Sequence, residues 1–181
     1  MRVAAALALA LLALVAGPAG QPAAATCTPT LEQTEGPYYK AGSPLRRVLV
    51  GPGTAGTRLV ITGAVLDARC RPVPRAWLDF WQADADGVYD NAGYRLRGHQ
   101  FADAKCRYRL VTVVPGLYSG RTRHIHVKLR APGGRVVTSQ LYFPGTQEND
   151  SDGIFDPSLV LKKARQDHGR VTATFTFVLG A

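Results

Sequence analysis

Short segments in which apolar and polar residues alternate constrain the fold of this chain more than any other feature. The clearest is 170–179, where Val171, Ala173, Phe175 and Phe177 alternate with threonines. An alternation of period two places the apolar side chains on one face of a β-strand, against a core. Five further segments have a strand-like composition: 58–67, 76–83, 108–114, 124–130 and 136–143.

Turn-forming residues separate these segments and leave room for little helix. The 181 residues include 19 glycines and 12 prolines. Only 156–163 carries helix signals, since Asp156 suits an N-cap, Pro157 suits the first helical position and basic residues follow at the end. The pattern predicts an all-β fold, a β-sandwich of short, mostly antiparallel strands with long loops and at most one short helix.

The N-terminus has the pattern of an export signal. Arg2 makes the start cationic, residues 3–16 are an unbroken run of Ala, Leu and Val, and residues 23–25 offer a small-residue cleavage site. The run is too short to span a bilayer as a helix. We therefore predict a cleaved signal peptide over 1–25 and a single domain over 26–181, secreted or periplasmic and without a membrane span.

The net charge is positive, but the basic residues do not cluster. The formal net charge is +9, from 22 Lys and Arg against 13 Asp and Glu. Such a balance suits nucleic acid, an anionic membrane surface or acidic ligands. The basic residues are scattered over strand-like and turn-like segments with no clustered stripe and no recognition motif. We therefore expect no nucleic-acid partner and a solvated cationic surface.

Three cysteines remain after the predicted signal peptide, and two of them can pair in an oxidising compartment. Cys70 lies in a turn after the segment 58–67, and Cys106 lies in a turn before 108–114. Two turns at neighbouring strand ends favour a Cys70–Cys106 disulfide. Cys27 stays open as an alternative partner, because sequence alone does not give the distances.

Two histidines in the segment 124–130 are candidate metal ligands. In a strand, Ile125 and its alternating neighbours face the core, so His124 and His126 share the opposite face, about 7 Å apart along the strand. That spacing lets both rings bind one metal ion. Two ordinary surface histidines are the alternative. The remaining histidines, His99 and His168, sit in no ligand spacing with this pair.

Two tyrosines offer oxygen donors for the same ion. Tyr118 lies six residues before His124, and Tyr89 follows the segment 76–83 after a Gly-Val pair. A phenolate is a hard anionic donor, and two of them stabilise Fe(III) over Fe(II). Either tyrosine alone also fits a half-buried structural residue.

An acidic tetrapeptide resembles the start of a calcium-binding loop. Asp150 and Asp152 alternate as carboxylate ligands do in such loops. The position that requires a bidentate Glu is occupied by Leu161. We therefore predict an ordinary loop at 150–153.

Several segments, taken in order, resemble the intradiol ring-cleavage dioxygenases, the family of catechol 1,2-dioxygenase and protocatechuate 3,4-dioxygenase. The resemblance spans about residues 28–145, and the order of its motifs around His-Ile-His makes the set specific. The matching segments are Glu35-Gly36-Pro37-Tyr38-Tyr39, 74–81, Gly87-Val88-Tyr89, Arg97-Gly98, 103–108, Pro115-Gly116-Leu117-Tyr118, 121–126 and 138–143.

The resemblance implies a ligand set for one non-haem Fe(III). Carried over position by position, the four ligands are Tyr89, Tyr118, His124 and His126. It implies that Tyr118 is the axial tyrosinate that leaves when substrate binds. Tyr89 would stay bound and keep the iron ferric.

The same resemblance assigns two further site residues. Arg121 matches the arginine that stabilises negative charge on the substrate ring, and Gln140 matches the glutamine behind that ring. Arg123 stands where the family often has a small residue, so its role is open. An arginine that pairs with a surface acid is the alternative for both arginines. Residues 28–49 are polar and turn-rich, which predicts an extended arm, and the Tyr38-Tyr39 pair of this arm is given no role.

The implied reaction cleaves a catechol with O2 between its two hydroxyl-bearing carbons and gives a muconate-type diacid. The helical N-terminal region with which catechol 1,2-dioxygenases dimerise has no counterpart in this sequence, so the chain resembles smaller, exported members of the family that act on plant- or lignin-derived catechols. A homo-oligomer stays open, and no motif selects one catechol.

A secreted, non-catalytic carbohydrate- or wall-binding module is the alternative function. Trp77 and Trp81 would then be stacking platforms. Alternation places both tryptophans and Asp79 on one face of the strand, with Leu78 and Phe80 on the other. This alternative leaves the two histidines and two tyrosines without a joint purpose.

Overall fold

The computed structural model describes residues 25–180. The predicted signal peptide, 1–25, lies outside the described residues except for its last one, so the division into a leader and one domain stays a prediction. Within 25–180 the strands are β1 (Arg58–Asp67), β2 (Trp77–Trp81), β3 (Arg97–Phe101), β4 (Arg107–Val113), β5 (His124–Arg130), β6 (Val137–Tyr142), β7 (Lys162–Asp167), β8 (Arg170–Thr174) and β9 (Phe177–Leu179).

These strands form two sheets, which confirms the predicted all-β sandwich. The first sheet has the order β4-β1-β8-β7, and β9 pairs with the later half of β1. The second has the order β3-β2-β5-β6 and is antiparallel throughout. The exceptions to antiparallel pairing are β1 with β8 and β1 with β9.

The core lies between the two sheets and follows the predicted alternation. Ile125, Val127 and Leu129 of β5 have no exposed surface, and they pack with Leu59 and Ile61 of β1 in one apolar cluster. Burying each such side chain contributes about 1.5–3 kcal/mol to folding. The opposite face of β5 is thereby left for polar side chains.

The predicted helix over 156–163 is wrong beyond its first turn. Asp156 does cap, since its Oδ1 accepts the Ser158 N–H at 2.8 Å, but only Pro157–Leu159 form a 3-10 turn. The chain then becomes extended because the Leu161 N–H donates to the Tyr142 carbonyl at 2.9 Å. Pairing with the β6 edge replaces the helical hydrogen bonds, and the basic residues that follow belong to β7.

An extended segment of the arm closes one side of the sandwich. Its residues 44–49 run between the edge strands β3 and β4. Leu45 pairs with His99 on β3, and Val48 pairs with Val111 on β4. Unpaired edge strands invite aggregation, so a covering segment protects both edges.

The predicted Cys70–Cys106 disulfide is wrong, because Cys70 is bonded to Cys27, with Cα atoms 5.2 Å apart. The Cys27 N–H donates to the Ala68 carbonyl at 3.0 Å, which places the arm beside the Cys70 turn. Cys106 is a buried free thiol whose carbonyl accepts the Val65 N–H at 2.9 Å. No local pattern in the sequence indicates the path of the arm.

No helix within residues 25–180 is long and apolar enough to cross a membrane.

Candidate active site

The polar face of the four-stranded sheet carries one row of functional side chains across all of its strands. Arg97 of β3 pairs with Trp81 of β2, Trp81 with His126 of β5, and His126 with Gln140 of β6. His124, two residues earlier on β5, pairs with Tyr142. The strand register therefore brings residues distant in sequence onto one patch.

The two histidines meet as the alternation predicted. Their Nε2 atoms are 3.1 Å apart, and each residue is only 4% exposed. The Nδ1–H of His124 donates to the Thr122 carbonyl at 2.7 Å, so its Nε2 keeps a free lone pair. Trp81 stacks on the His126 ring at 4.8 Å and fixes its plane.

Both rings are neutral near neutral pH. Burial lowers the pKa of His124 to about 4, and the Arg121 charge works in the same direction. Burial, followed by the neighbouring His124, lowers the pKa of His126 well below its ordinary value. The Nδ1 of His126 is buried without a hydrogen-bond partner in the part of the chain described. Two uncharged, desolvated imidazoles with converging nitrogens are a donor pair for a cation.

Tyr89 lies beside the histidines and Tyr118 lies beside Tyr89, on two loops that pass very close together. The Tyr89 hydroxyl is 3.4 Å from the His124 Nε2, and the Tyr89 and Tyr118 rings meet edge to face at 5.5 Å. Gly87 permits this approach, with φ of +82° and a position where a Cβ would lie 1.9 Å from the Leu117 carbonyl oxygen. Burial raises the pKa of the Tyr89 hydroxyl, so its phenolate needs a neighbouring cation.

The arm adds a third tyrosine that the sequence did not assign. Tyr38 stacks on Tyr89 with ring centres 4.5 Å apart, and its hydroxyl is 2.7 Å from that of Tyr118. The Arg97 guanidinium donates to the Tyr38 carbonyl at 2.6 Å and holds the arm in place. Gly36 of the same arm lies against the His126 ring. Paired tyrosines after a Gly-Pro turn were the available signal, but sequence spacing alone does not bring them to the histidines.

Arg121 and Gln140 also come together. The Arg121 Nη2 donates to the Gln140 Oε1 at 2.9 Å, and the Gln140 Nε2 donates to the Thr34 carbonyl at 3.1 Å. The Arg121 Nε donates to Asp152, which the sequence had placed in an ordinary loop. Arg123 is exposed and lines a separate surface cavity of about 590 Å³.

The other candidate side chains lie elsewhere. His99 hydrogen-bonds through Nδ1 to Ser43, and His168 is 94% exposed. Within residues 25–180 no three His, Cys, Asp or Glu side chains form a metal cluster, so the donors next to the histidine pair are phenols. Trp81 is 1% exposed and unavailable as a sugar platform, whereas Trp77 lies half-buried beneath Arg130.

Comparison with known proteins agrees with this architecture. A family model described as dioxygenase matches residues 34–180. The beta chain of protocatechuate 3,4-dioxygenase from Burkholderia cepacia is 36% identical over 119 residues, 55% of this chain and 50% of that protein. Chlorocatechol 1,2-dioxygenase from Rhodococcus opacus is 31% identical over 156 residues, 68% of this chain and 60% of that protein. The chain thus spans half to three fifths of the length of these two relatives.

Solved structures show the same fold. The dioxygenase domain of a dioxygenase carbohydrate-binding protein fusion from Streptomyces sp. SirexAA-E aligns with a TM-score of 0.82 at 49% identity, over 85% of this chain and 99% of that one. 3-Chlorocatechol 1,2-dioxygenase from Rhodococcus opacus 1CP aligns with a TM-score of 0.77 at 28% identity, over 83% and 72%. Together with the family model matched over 34–180, these similarities show that the chain belongs to the intradiol ring-cleavage dioxygenase family.

Proposed function

We propose that the protein is a non-haem Fe(III) dioxygenase that cleaves catechol-type rings with O2 between the two hydroxyl-bearing carbons, giving muconate-type diacids. The observation that carries the proposal is a cluster of two neutral imidazoles and two phenols. The His124 and His126 Nε2 atoms are 3.1 Å apart, the Tyr89 hydroxyl is 3.4 Å from the first of them, and the Tyr118 ring meets the Tyr89 ring edge to face. No carboxylate or thiolate in the described part of the chain completes this set.

The donor set suits ferric iron. Tyr89, Tyr118, His124 and His126 would hold the ion through two phenolate oxygens and two ring nitrogens. Hard anionic oxygens favour the ferric over the ferrous state, while imidazole suits iron in general. A cation beside Tyr89 would also offset the cost of its phenolate, whose pKa burial otherwise raises.

Bound iron would supply the Lewis acidity that makes both catechol protons removable near neutral pH. The Tyr118 phenolate oxygen would accept one of these protons, and solvent would accept the other. The Tyr38 hydroxyl, 2.7 Å away, would hold the protonated Tyr118 phenol by a hydrogen bond. Trp81 stacks on the His126 ring and keeps it in one plane.

Arg121 contributes the positive charge beside the ring. Its guanidinium is fixed by Gln140 at 2.9 Å and by Asp152 at 2.8 Å, so it need not reorient during reaction. A preorganised cation stabilises negative charge as it develops on a substrate carbon. Gln140, fully buried, sets the position of that cation.

The substrate class follows from the chemistry of the site and from its relatives. The relatives are named for catechol, chlorocatechol, hydroxyquinol and protocatechuate. We propose a catechol of this class, met outside the cytoplasm after export by the N-terminal leader. The Cys27–Cys70 disulfide supports an oxidising compartment.

Oxygen uptake with a panel of catechols, followed by mass identification of the product, tests this function. We expect the mass of the product to equal substrate plus both oxygen atoms, and the iron-loaded protein to show a visible phenolate-to-iron absorption band. A colourless iron-loaded protein, or no uptake with any catechol, would overturn the proposal.

A further inference from the structure

The carboxylate of Asp152 is buried next to the proposed active site. None of the site residues assigned from the sequence lies in the loop that carries it. Its side chain is 1% exposed. Oδ2 accepts the Thr122 N–H at 3.0 Å and Oδ1 accepts the Ile154 N–H at 3.1 Å. Two backbone donors from different segments thus hold the carboxylate in one orientation.

The same carboxylate holds Arg121. The Arg121 Nε donates to Oδ2 at 2.8 Å, while Nη2 of the same guanidinium donates to Gln140 at 2.9 Å. Arg121 is fixed at two points of its planar fork, which sets the plane of the guanidinium as well as its position. Neither of these two hydrogen bonds uses Nη1, so one end of the fork stays available for a substrate charge.

The loop that carries Asp152 is itself tied to the strand that carries the histidines. The Thr122 hydroxyl donates to the Asn149 Oδ1 at 2.6 Å, and the Asn149 Nδ2 donates to the Phe143 carbonyl at 2.9 Å. Thr122 in turn accepts the Nδ1–H of His124. The loop therefore cannot shift without moving the start of β5.

We propose that Asp152 is a positioning residue for the ring-cleavage reaction, acting by holding the Arg121 guanidinium in the plane where it meets charge on the substrate ring. The inference rests on the proposed function, because it needs Arg121 to act on substrate. Groups that orient the ligands of a metal centre typically contribute about 10- to 100-fold to activity, and we expect an effect of that size for a group that orients Arg121. An unpaired Arg121 would sample other rotamers and lose that preorganisation.

Asp152→Asn is the direct test, with Asp150→Asn as matched control. Asp150 is two residues away in the same loop and exposed. In Asp152→Asn the amide leaves at least one of the three donors without an acceptor, and it removes the charge. We expect kcat to fall ~10- to 100-fold with a smaller change in KM, because the lost interaction acts in the transition state. Iron content and the visible band should match wild type, and Asp150→Asn should match it in every respect.

The NMR signal of the Arg121 Nε–H gives a readout that needs no turnover. We expect slow exchange with water in wild type and fast exchange in Asp152→Asn. Equal exchange in both proteins, or wild-type kcat in Asp152→Asn, overturns the positioning role while leaving the proposed function standing. Failure of wild-type protein to cleave any catechol overturns both.

A double variant covers the case in which Asp152→Asn is too unstable to purify. Arg121→Gln/Asp152→Asn removes both charges and so leaves neither unpaired. If Asp152 acts through Arg121, the double variant should have the kcat of Arg121→Gln alone. A further tenfold loss in the double variant would contradict the proposal.

Discussion

At the scale of single residues, the contact between His124 and His126 sets the chemistry of the site. Two neutral imidazoles with Nε2 atoms 3.1 Å apart either share one proton or direct both lone pairs at a cation. The first arrangement needs no tyrosine nearby. The second arrangement explains why Tyr89 lies against the pair with Tyr118 beside it, although the pKa of both hydroxyls is raised.

His126→Ala should abolish iron binding, because it removes one of two nitrogens that converge on the same point. His168→Ala is the control, since that ring is 94% exposed and lies in the turn between β7 and β8, in the other sheet. Metal analysis after loading and desalting checks the prediction, and circular dichroism shows whether the fold is kept. Full iron retention by folded His126→Ala would rule out the ligand set.

Tyr118→Phe should retain iron but turn over catechols slowly, because three donors remain while the proton acceptor is lost. General-base groups contribute ~10²- to 10⁴-fold, so we expect a loss of kcat in that range. Tyr94→Phe is the control, since its hydroxyl donates to the Ala41 carbonyl in an outer loop. Iron content and kcat, measured on the same samples, test this prediction. Unchanged turnover by Tyr118→Phe would contradict the proposal that Tyr118 leaves when substrate binds.

The sequence predicted part of this site for a physical reason. His124 and His126 follow from strand alternation, which is local, and their shared face is present in the structure. Asp152 lies 31 residues from Arg121, and Tyr38 lies 80 residues from Tyr118. No local pattern shows which loop returns to a strand, so their roles needed the tertiary structure.

At the scale of elements, the presence of alternating apolar residues determined which strands could be predicted. β1 and β5 have buried apolar faces, and their observed bounds coincide with the predicted segments. Every residue of β7 is exposed, so its sequence lacks apolar alternation and its start was predicted as helix. β3 is largely buried, but its buried residues are Arg97, Gly98 and Gln100, so it was missed. A strand without alternating apolar residues carries little period-two signal.

Gly87 is the position at which the loops of Tyr89 and Tyr118 approach each other most tightly. Gly87→Ala adds left-handed strain and a clash with the Leu117 carbonyl, whereas Gly133→Ala, at φ of +72° in open space, adds strain alone. We expect Gly133→Ala to lower the free energy of unfolding by about 1–2 kcal/mol. Gly87→Ala should lower it by more and also reduce iron content. Equal losses in urea unfolding would show that the close approach is not required.

The disulfide predicts a specific count of reactive thiols. In the folded protein no cysteine should react with a thiol-labelling reagent, because Cys106 is buried and the other two cysteines are bonded to each other. Unfolding without reductant should expose one thiol, and reduction should expose all three cysteines. Mapping the label to Cys27 or Cys70 before reduction would contradict the pairing. Removing the bond should cost about 2–4 kcal/mol of stability, since it ties the arm to β1.

At the scale of the whole molecule, two buried carboxylates should give stability opposite dependences on pH. Burial acts to raise the pKa of Asp152, but Arg121 and two backbone donors outweigh it and lower the pKa. Burial raises the pKa of Asp79, and the Ser43 and Tyr39 hydroxyls and the His99 and Lys128 charges only partly oppose it. A depressed pKa stabilises the fold above the ordinary value, whereas a raised pKa stabilises it below that value.

The two asparagine variants isolate these opposite contributions. As pH falls through the folded pKa of Asp152, its stabilisation is lost, so the destabilisation caused by Asp152→Asn should shrink in acid. As pH rises through the folded pKa of Asp79, the fold loses the stability of the protonated acid, so Asp79→Asn should be less harmful at neutral pH than in acid. Urea unfolding of each variant against wild type, from roughly pH 3 to pH 7, measures both slopes. If the destabilisation by the two variants changes with pH in the same direction, one of the two carboxylates is not held as the structure has it. Opposite changes would distinguish a carboxylate that its partners stabilise from one that burial penalises.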